Sequence, residues 1–289
     1  MYKIAHISDS HLILNNENNS GKAFIELMED IRKRGCDHVV HTGDVVDNPE
    51  NADFIFAAEL MNQYGLLNSE KLTVVPGNHD IFGGAAKGIE GLKFIYNCSN
   101  TDYGKNLKKF TTHFEKTFPG DKIFPYLKIS GNTALIAVNS IAHWDIKKNP
   151  EGSNGMISPK DFKALEKILK QKKIKDLVKI IVLHHHFGLP EPTKENKSHP
   201  VWLEGIDYKM KLHGKKKLLE LFKKYKVNLI LHGHTHISEV YNAGKIISVN
   251  SSASSLPLTD DGTVSYHMIE IPGGDDESGK IRIKKIIIK

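Results

Sequence analysis

Cysteine and arginine are scarce in this chain of 289 residues, which contains two of the first and three of the second. Cys36 and Cys98 lie far apart without C-x-x-C spacing, so neither a disulfide framework nor a thiolate zinc site is expected. No run of about 18 apolar residues exists, which argues against a membrane-spanning helix. The opening residues, with Lys3, His6 and Asp9, lack the charged, apolar and small-residue phases of a secretory signal. Together these absences favour a cytoplasmic protein without a membrane partner.

What is present is an ordinary globular composition, 39% hydrophobic and 26% charged, with a formal net charge of +6. A chain of 32.4 kDa folding as one body hides roughly three quarters of its unfolded surface. A core of that size needs no disulfide or structural metal. Positive charge comes almost entirely from lysine, clustered at Lys163 to Lys179, at Lys209 to Lys226 and near the C-terminus. Such clusters read first as solvated helix faces and second as docking sites for polyanions such as nucleic acid. Histidine stands out: 16 are present, six of them in two short runs.

Periodicity predicts strands at Lys3 to Ile7, His38 to His41, Leu72 to Val75, Leu135 to Val138, Ile180 to Leu183 and Leu229 to Leu231. Helices are expected at Lys22 to Arg34, Phe54 to Tyr64, Pro159 to Gln171 and Lys215 to Tyr225. This βα alternation predicts an α/β fold with helices covering a mixed or parallel sheet. After Gly233 the pattern changes to short strands, the last at Ile281 to Ile288, expected to run antiparallel and complete a second sheet. With no repeat or linker, one domain over 1–289 is expected, with irregular insertions near 81–107 and 187–214.

Polar residues of chemical interest follow the apolar strands. Asp9-Ser10-His11 comes after the first, Gly43-Asp44-Val45-Val46-Asp47 after the second, and Gly77-Asn78-His79-Asp80 after the third. Later strands deliver His184-His185-His186 and His232-Gly233-His234-Thr235-His236. Ligands of open α/β sheets bind beyond the carboxyl ends of strands, where such clusters converge. Carboxylate, amide and imidazole donors without thiolate suit Mn, Fe or Zn. In an extended segment residues two apart share a face, so Asp9 and His11, and likewise His234 and His236, are expected to act as two-point clamps. A lone histidine is ordinarily structural, and His6, His38 and His41 are read that way; five clusters in order are not explained so.

This set of motifs resembles the calcineurin-like metallophosphoesterase superfamily, and more closely its class III cyclic-nucleotide phosphodiesterase-like branch. The resemblance implies two mixed β-sheets packed as a sandwich flanked by helices, in four αββα layers, with a dinuclear centre at one edge. By position, one metal would take Asp9, His11, Asp44 and His236, and the other Asp44, Asn78, His185 and His234. Relatives usually carry proline after the fourth motif, where this chain has Phe187. Aligning on that position selects His185, with His184 and His186 left open.

Two divalent or mixed-valence ions (Mn, Fe or Zn) would lower the pKa of a bridging water, whose hydroxide attacks phosphorus. His79 would protonate the departing oxygen, with Asp80 setting its tautomer. Two M2+ ions, two aspartates and a hydroxide leave one positive charge, which a diester monoanion neutralises. None of Arg32, Arg34 and Arg282 lies in a motif, whereas monoester sites commonly add arginine forks. The expected function is hydrolysis of a small nucleotide-like or cyclic phosphodiester, ahead of a nuclease, a phosphomonoesterase or a non-catalytic scaffold. Trp202, Tyr208 and His199 are candidates for contacting the substrate.

Overall fold

The computed structural model describes residues 1–15, 19–84, 91–120, 123–188, 210–255, 264–273 and 280–288. β1 (Tyr2–Ile7), β2 (His38–His41) and β3 (Leu72–Val74) run parallel in a five-stranded sheet. That sheet is completed by β12 (Val264–Ile271), antiparallel to β1, and β13 (Arg282–Ile288) at the edge. The connections pass through helices α1 (Ser20–Lys33) and α2 (Asn51–Gln63). Successive right-handed crossovers moving one way along a sheet place both helices on one face. Phe24, Leu27, Met28 and Ile31 form the buried face of α1, matching the expected helical spacing.

The second sheet has six strands, in the order β10 (Glu239–Ala243), β11 (Ile246–Asn250), β9 (Leu229–His232), β7 (Val178–Val182), β5 (Thr133–Ala137) and β4 (Tyr126–Ser130). Its central strands are buried on both sides. Leu135, Ala137, Ile180, Val182, Leu229 and Leu231 join the core shared with the first sheet. The alternate residues Ala134, Ile136, Ile181, Leu183 and Ile230 pack against α6 (Pro159–Leu169) and α7 (Lys215–Lys224). Period-2 alternation thus builds the expected four layers: helices, sheet, sheet, helices.

Two expectations are corrected. The strands after Gly233 do not complete one sheet: β10 and β11 join the second, while β12 and β13 join the first. The stretch 81–107 is not irregular where it is described; α3 (His79–Phe82), α4 (Gly91–Ser99) and the start of α5 (Tyr103–His113) occupy it. Those helices gather Ile81, Phe82, Cys98 and Ile141 into a small core of their own, and Asp102 caps α5 by accepting from the Lys105 amide at 2.9 Å. In 187–214, residues 189–209 lie outside the described set, and β8 (Leu212–His213) pairs in parallel with β6 (Gly155–Met156). Among the described residues no helix is long and apolar enough to cross a membrane.

Candidate metal centre

The parallel strands of both sheets end at the same edge of the sandwich, and the polar clusters meet there. They do not meet as extended clamps. Asp9, His11, Asp44, His234 and His236 all hold left-handed backbone, with φ of 51°, 44°, 52°, 77° and 56°. A non-glycine residue in that region costs on the order of 1 kcal/mol or more, so a cluster of five marks strain maintained by its surroundings. Side chains two apart converge here by turning, not by alternating along a strand. Glycine permits the close approach: a Cβ on Gly77 would strike Asp44 Oδ1, and one on Gly233 would strike Ser8 Oγ and Asp9 Oδ2.

Two donor groups share one carboxylate. The ligand atoms of Asp9, His11, Asp44 and His236 lie within 4.8 Å of one another, as do those of Asp44, His184 and His234. His11 Nε2 is 3.1 Å from His236 Nε2 and 4.0 Å from Asp44 Oδ2, and His236 Nε2 is 3.5 Å from Asp9 Oδ1. On the other side, His184 Nε2 is 2.9 Å from Asn78 Oδ1 and 3.4 Å from Asp44 Oδ2. Asp44 is the common member. Its Oδ1 also accepts from the His79 amide at 2.8 Å, while both Asp9 oxygens accept from the His234 amide.

Outer partners determine which ring nitrogen faces inward. His184 Nδ1 donates to the Thr42 carbonyl at 2.8 Å and His234 Nε2 to the Ser153 carbonyl at 2.9 Å, since a carbonyl can only accept. His11 Nδ1 faces Asp47 Oδ1 at 3.2 Å. In the neutral rings the opposite nitrogens carry lone pairs, and that of His184 points at two oxygens, Asn78 Oδ1 and Asp44 Oδ2. Lone pairs face to face at about 3 Å repel unless a proton or a cation lies between them. This donor chemistry fits metal ions.

Electrostatics says the same. Burial favours the neutral form of Asp44, but the His184 and His79 imidazoles outweigh it and hold the carboxyl well below the usual range. Burial lowers His184, yet the Asp44 charge beside it carries the imidazole up to about 9. Asp44 thus requires a positive neighbour. The site opens on one side: His79 and His236 keep 24% and 32% side-chain exposure, against 0% for Asp9 and His184.

The structure brings together Asp9, His11, Asp44, Asn78, His234 and His236 as the sequence spacing suggested, but it departs from expectation at two places. In the histidine run it is His184 that reaches Asn78 and Asp44. His185 instead points its Nε2 at the Ser153 carbonyl (3.2 Å) and its Nδ1 at Ser140 Oγ (2.8 Å). β7 has already ended at Val182, so strand alternation no longer governs these residues. Asp80 does not touch the His79 ring. It is buried against the amides of Gly77, Val46 and Val45, at 2.8, 3.0 and 3.2 Å, and ties two site loops together. Burial, with Asp44 nearby, raises the Asp80 carboxyl to about 7.

The group that orients His79 is Asp47: His79 Nδ1 lies 3.1 Å from its carbonyl and 3.2 Å from its Oδ1. Burial opposes protonation of His79, but Asp44 and Asp47 overcome it and raise the imidazole to about 9. Asp47 was legible only as a member of its motif, and the carbonyls of Thr42 and Ser153 had no signal at all, because any residue supplies one. His41 meets Ser10 Oγ at 2.8 Å and His6 meets Thr42 Oγ1 at 3.1 Å, both one step outside the cluster. Asn139 holds Tyr103, and Asn250 donates to Thr235 between the two histidines of the last motif. Trp202, Tyr208 and His199 lie outside the described residues.

A layered sandwich with buried carboxylate, amide and imidazole donors at one strand edge defines a class of proteins able to bind metal ions. A model of the calcineurin-like phosphoesterase family matches residues 2–238, and the chain belongs to that family, a class of phosphoric ester hydrolases. Among solved structures it is similar to a dimetal phosphatase from Danio rerio, with a TM-score of 0.64 at 12% identity over 99% of this chain and 98% of that one. It is also similar to the purple acid phosphatase PPD1 of yellow lupin (Lupinus luteus), with a TM-score of 0.58 at 15% identity. That match covers 93% of this chain and 49% of the lupin chain, so this protein spans about half the plant enzyme. Identities this low make the likeness one of fold. The curated proteins contain no match.

Proposed function

We propose that the protein is a dinuclear-metal phosphodiesterase acting on a small nucleotide-like or cyclic diester, as in the class III branch its motifs resemble. The observation that carries this reading is the membership of Asp44 in both donor groups. Asp9, His11, Asp44 and His236 would hold one ion; Asp44, Asn78, His184 and His234 would hold the other, with His184 replacing the His185 of the sequence reading. Bound there, two divalent ions would acidify a water and draw charge from the phosphoryl oxygens.

His79 acts on the leaving group. Asp47 occupies its Nδ1, so the proton available to substrate is on Nε2, and the Asp47 carboxylate beside the ring favours its protonated form. Donation of that proton leaves the departing oxygen as an alcohol, and Asp47 holds the ring in place throughout. Preference for a diester is supported by where the arginines stand: Arg32 pairs with Glu29 and Arg34 with Asp30, both at the end of α1, and Arg282 is on the edge strand β13. None supplies the planar fork that a monoester dianion would use.

The test is hydrolysis of bis(p-nitrophenyl) phosphate and p-nitrophenyl phosphate with Mn2+, before and after EDTA. Metal-dependent turnover favouring the diester is expected, and His79→Asn lowers kcat about 10²- to 10⁴-fold while bound metal stays unchanged. No metal-dependent turnover would remove the enzymatic reading, and faster monoester hydrolysis would overturn the diester one.

A further inference from the structure

Positive charge is concentrated in the helical layer over the second sheet. In the layer over the first sheet, Ser20 to Arg34 has four basic residues against three acidic ones, and Glu50 to Tyr64 has three acidic residues and no lysine or arginine. In the layer over the second sheet, Pro159 to Asp176 has seven lysines against three acidic residues, and Lys211 to Lys226 has seven against one. The excess of positive charge in these two segments is larger than the +6 of the entire chain, so the remainder is net acidic. α5, packed against α2, adds three lysines to the first layer, fewer than either of these two segments holds.

The basic segments form one surface. α6 and α7 follow consecutive crossovers between neighbouring strands and cover the same sheet face. They touch along their length: Lys217 Nζ lies 4.6 Å over the Phe162 ring, and Tyr225 donates to Glu166 at 3.3 Å. Acidic partners are short, since Glu166 is shared between Lys170 at 3.1 Å and Lys224 at 3.6 Å. Lys163, Lys167, Lys172, Lys216 and Lys223 are exposed. Helix stability does not explain the arrangement, because α7 opens on three consecutive lysines with no acid in its first turn, where the helix dipole disfavours cations.

We propose that the outer face of α6 and α7 docks the phosphate backbone of a nucleic acid. Evenly distributed ammonium groups without arginine suit phosphates, not base edges, so binding would be independent of sequence. A lipid surface fits less well: none of the large exposed apolar side chains falls between Pro159 and Asp176 or between Lys211 and Lys226, whereas interfacial helices insert such groups. Both helices start at the site end, after β6 and β8, and Gly155 of β6 packs against the His185 ring, so a bound strand would run away from the metal centre. The surface is separate from the Asp44 cluster and does not depend on its being catalytic.

The experiment is fluorescence polarisation of a labelled 20-nucleotide single strand with EDTA-treated protein between 50 and 200 mM NaCl. Wild type is expected to bind with log affinity falling linearly in log salt, by about 0.7 per phosphate neutralised. Combining Lys163→Glu, Lys167→Glu, Lys216→Glu and Lys223→Glu should weaken binding at least about tenfold and flatten that slope, with circular dichroism and bis(p-nitrophenyl) phosphate hydrolysis unchanged. A control with Lys22→Glu, Lys33→Glu, Lys105→Glu and Lys108→Glu alters net charge equally and should bind as wild type does. Equal losses in both variants, no binding at 50 mM NaCl, or tighter binding to phosphatidylserine vesicles than to the oligonucleotide would each overturn the proposal.

Discussion

β2 carries a buried histidine at each end. At its start, His38 donates Nδ1 to the Glu70 carbonyl at 2.8 Å, and Nε2 meets Thr73 Oγ1 at 2.9 Å. At its finish, His41 meets Ser10 Oγ and accepts from the Gly43 amide at 3.3 Å, one step from Asp9 and Asp44. The contrast holds across the sheets. Near the amino ends, polar groups are tied off on carbonyls: Lys128, buried between the layers, donates to the carbonyl of Leu72 at the start of β3. Beyond the carboxyl ends, imidazole nitrogens face one another and carboxylate or amide oxygens, and Asp9, His11, Asp44, His234 and His236 hold left-handed backbone. The histidine and lysine groups at the first end are partnered within the protein, whereas those at the other converge on contacts that a proton or a metal ion must bridge, so stability and activity should separate along the strands.

The sharpest way to break this comparison is Asp44→Asn. Diester turnover with Mn2+ should fall roughly 10³-fold or more and bound metal should drop below one equivalent by elemental analysis, because both donor groups lose their common carboxylate. Retention of two ions would end the distinction between the ends. Next in size, His184→Ala should cost roughly 10²-fold or more in turnover and weaken metal binding, whereas His185→Ala, which alters the support of Ser153 and Ser140, should cost no more than about 10- to 100-fold. A reversed order, read by the same assay with a metal titration, would restore the sequence assignment of His185.

Stability should follow the amino ends. Burial lowers His38 to about 3, below the 6.5 of an unfolded histidine. The unfolded chain therefore binds the extra proton first, and stability is lost as pH falls from 6.5 toward 3. In EDTA, His38→Gln should flatten the pH dependence of urea unfolding in that window by at most about 1.4 kcal/mol per pH unit. An effect of similar size has the opposite range. Burial lowers Lys128 to about 7 from 10.5, so its desolvation cost is full below pH 7 and relieved as pH rises through 7 to 10.5. Lys128→Met should remove that rise, leaving diester turnover at pH 7 unaltered; an unchanged unfolding slope would show that the amine is solvated.

Much of this was legible in order along the chain. Leu135 to Val138, Ile180 to Leu183 and Leu229 to Leu231 are apolar at every position because both sheet faces are covered, and each was read as a strand. Short strands with an alternating pattern pair equally well with either sheet, so nothing local told β12 and β13 to return to β1. The site residues were found because they follow strand ends. Their partners were not, because Asp80 is adjacent to His79 while Asp47, which orients it, is 32 positions away.

By itself, then, the sequence determined the family, the layered α/β class and the set of carboxylate, amide and imidazole groups, since residue type and spacing are local properties. Whether His184 or His185 faces Asp44, whether Asp47 or Asp80 holds His79, and on which layer the lysines gather were decided by the tertiary structure. Those outcomes depend on backbone turns in the left-handed region and on carbonyls such as those of Thr42 and Ser153. A turn or a carbonyl is available at almost any residue, and only packing between distant segments selects which one is used.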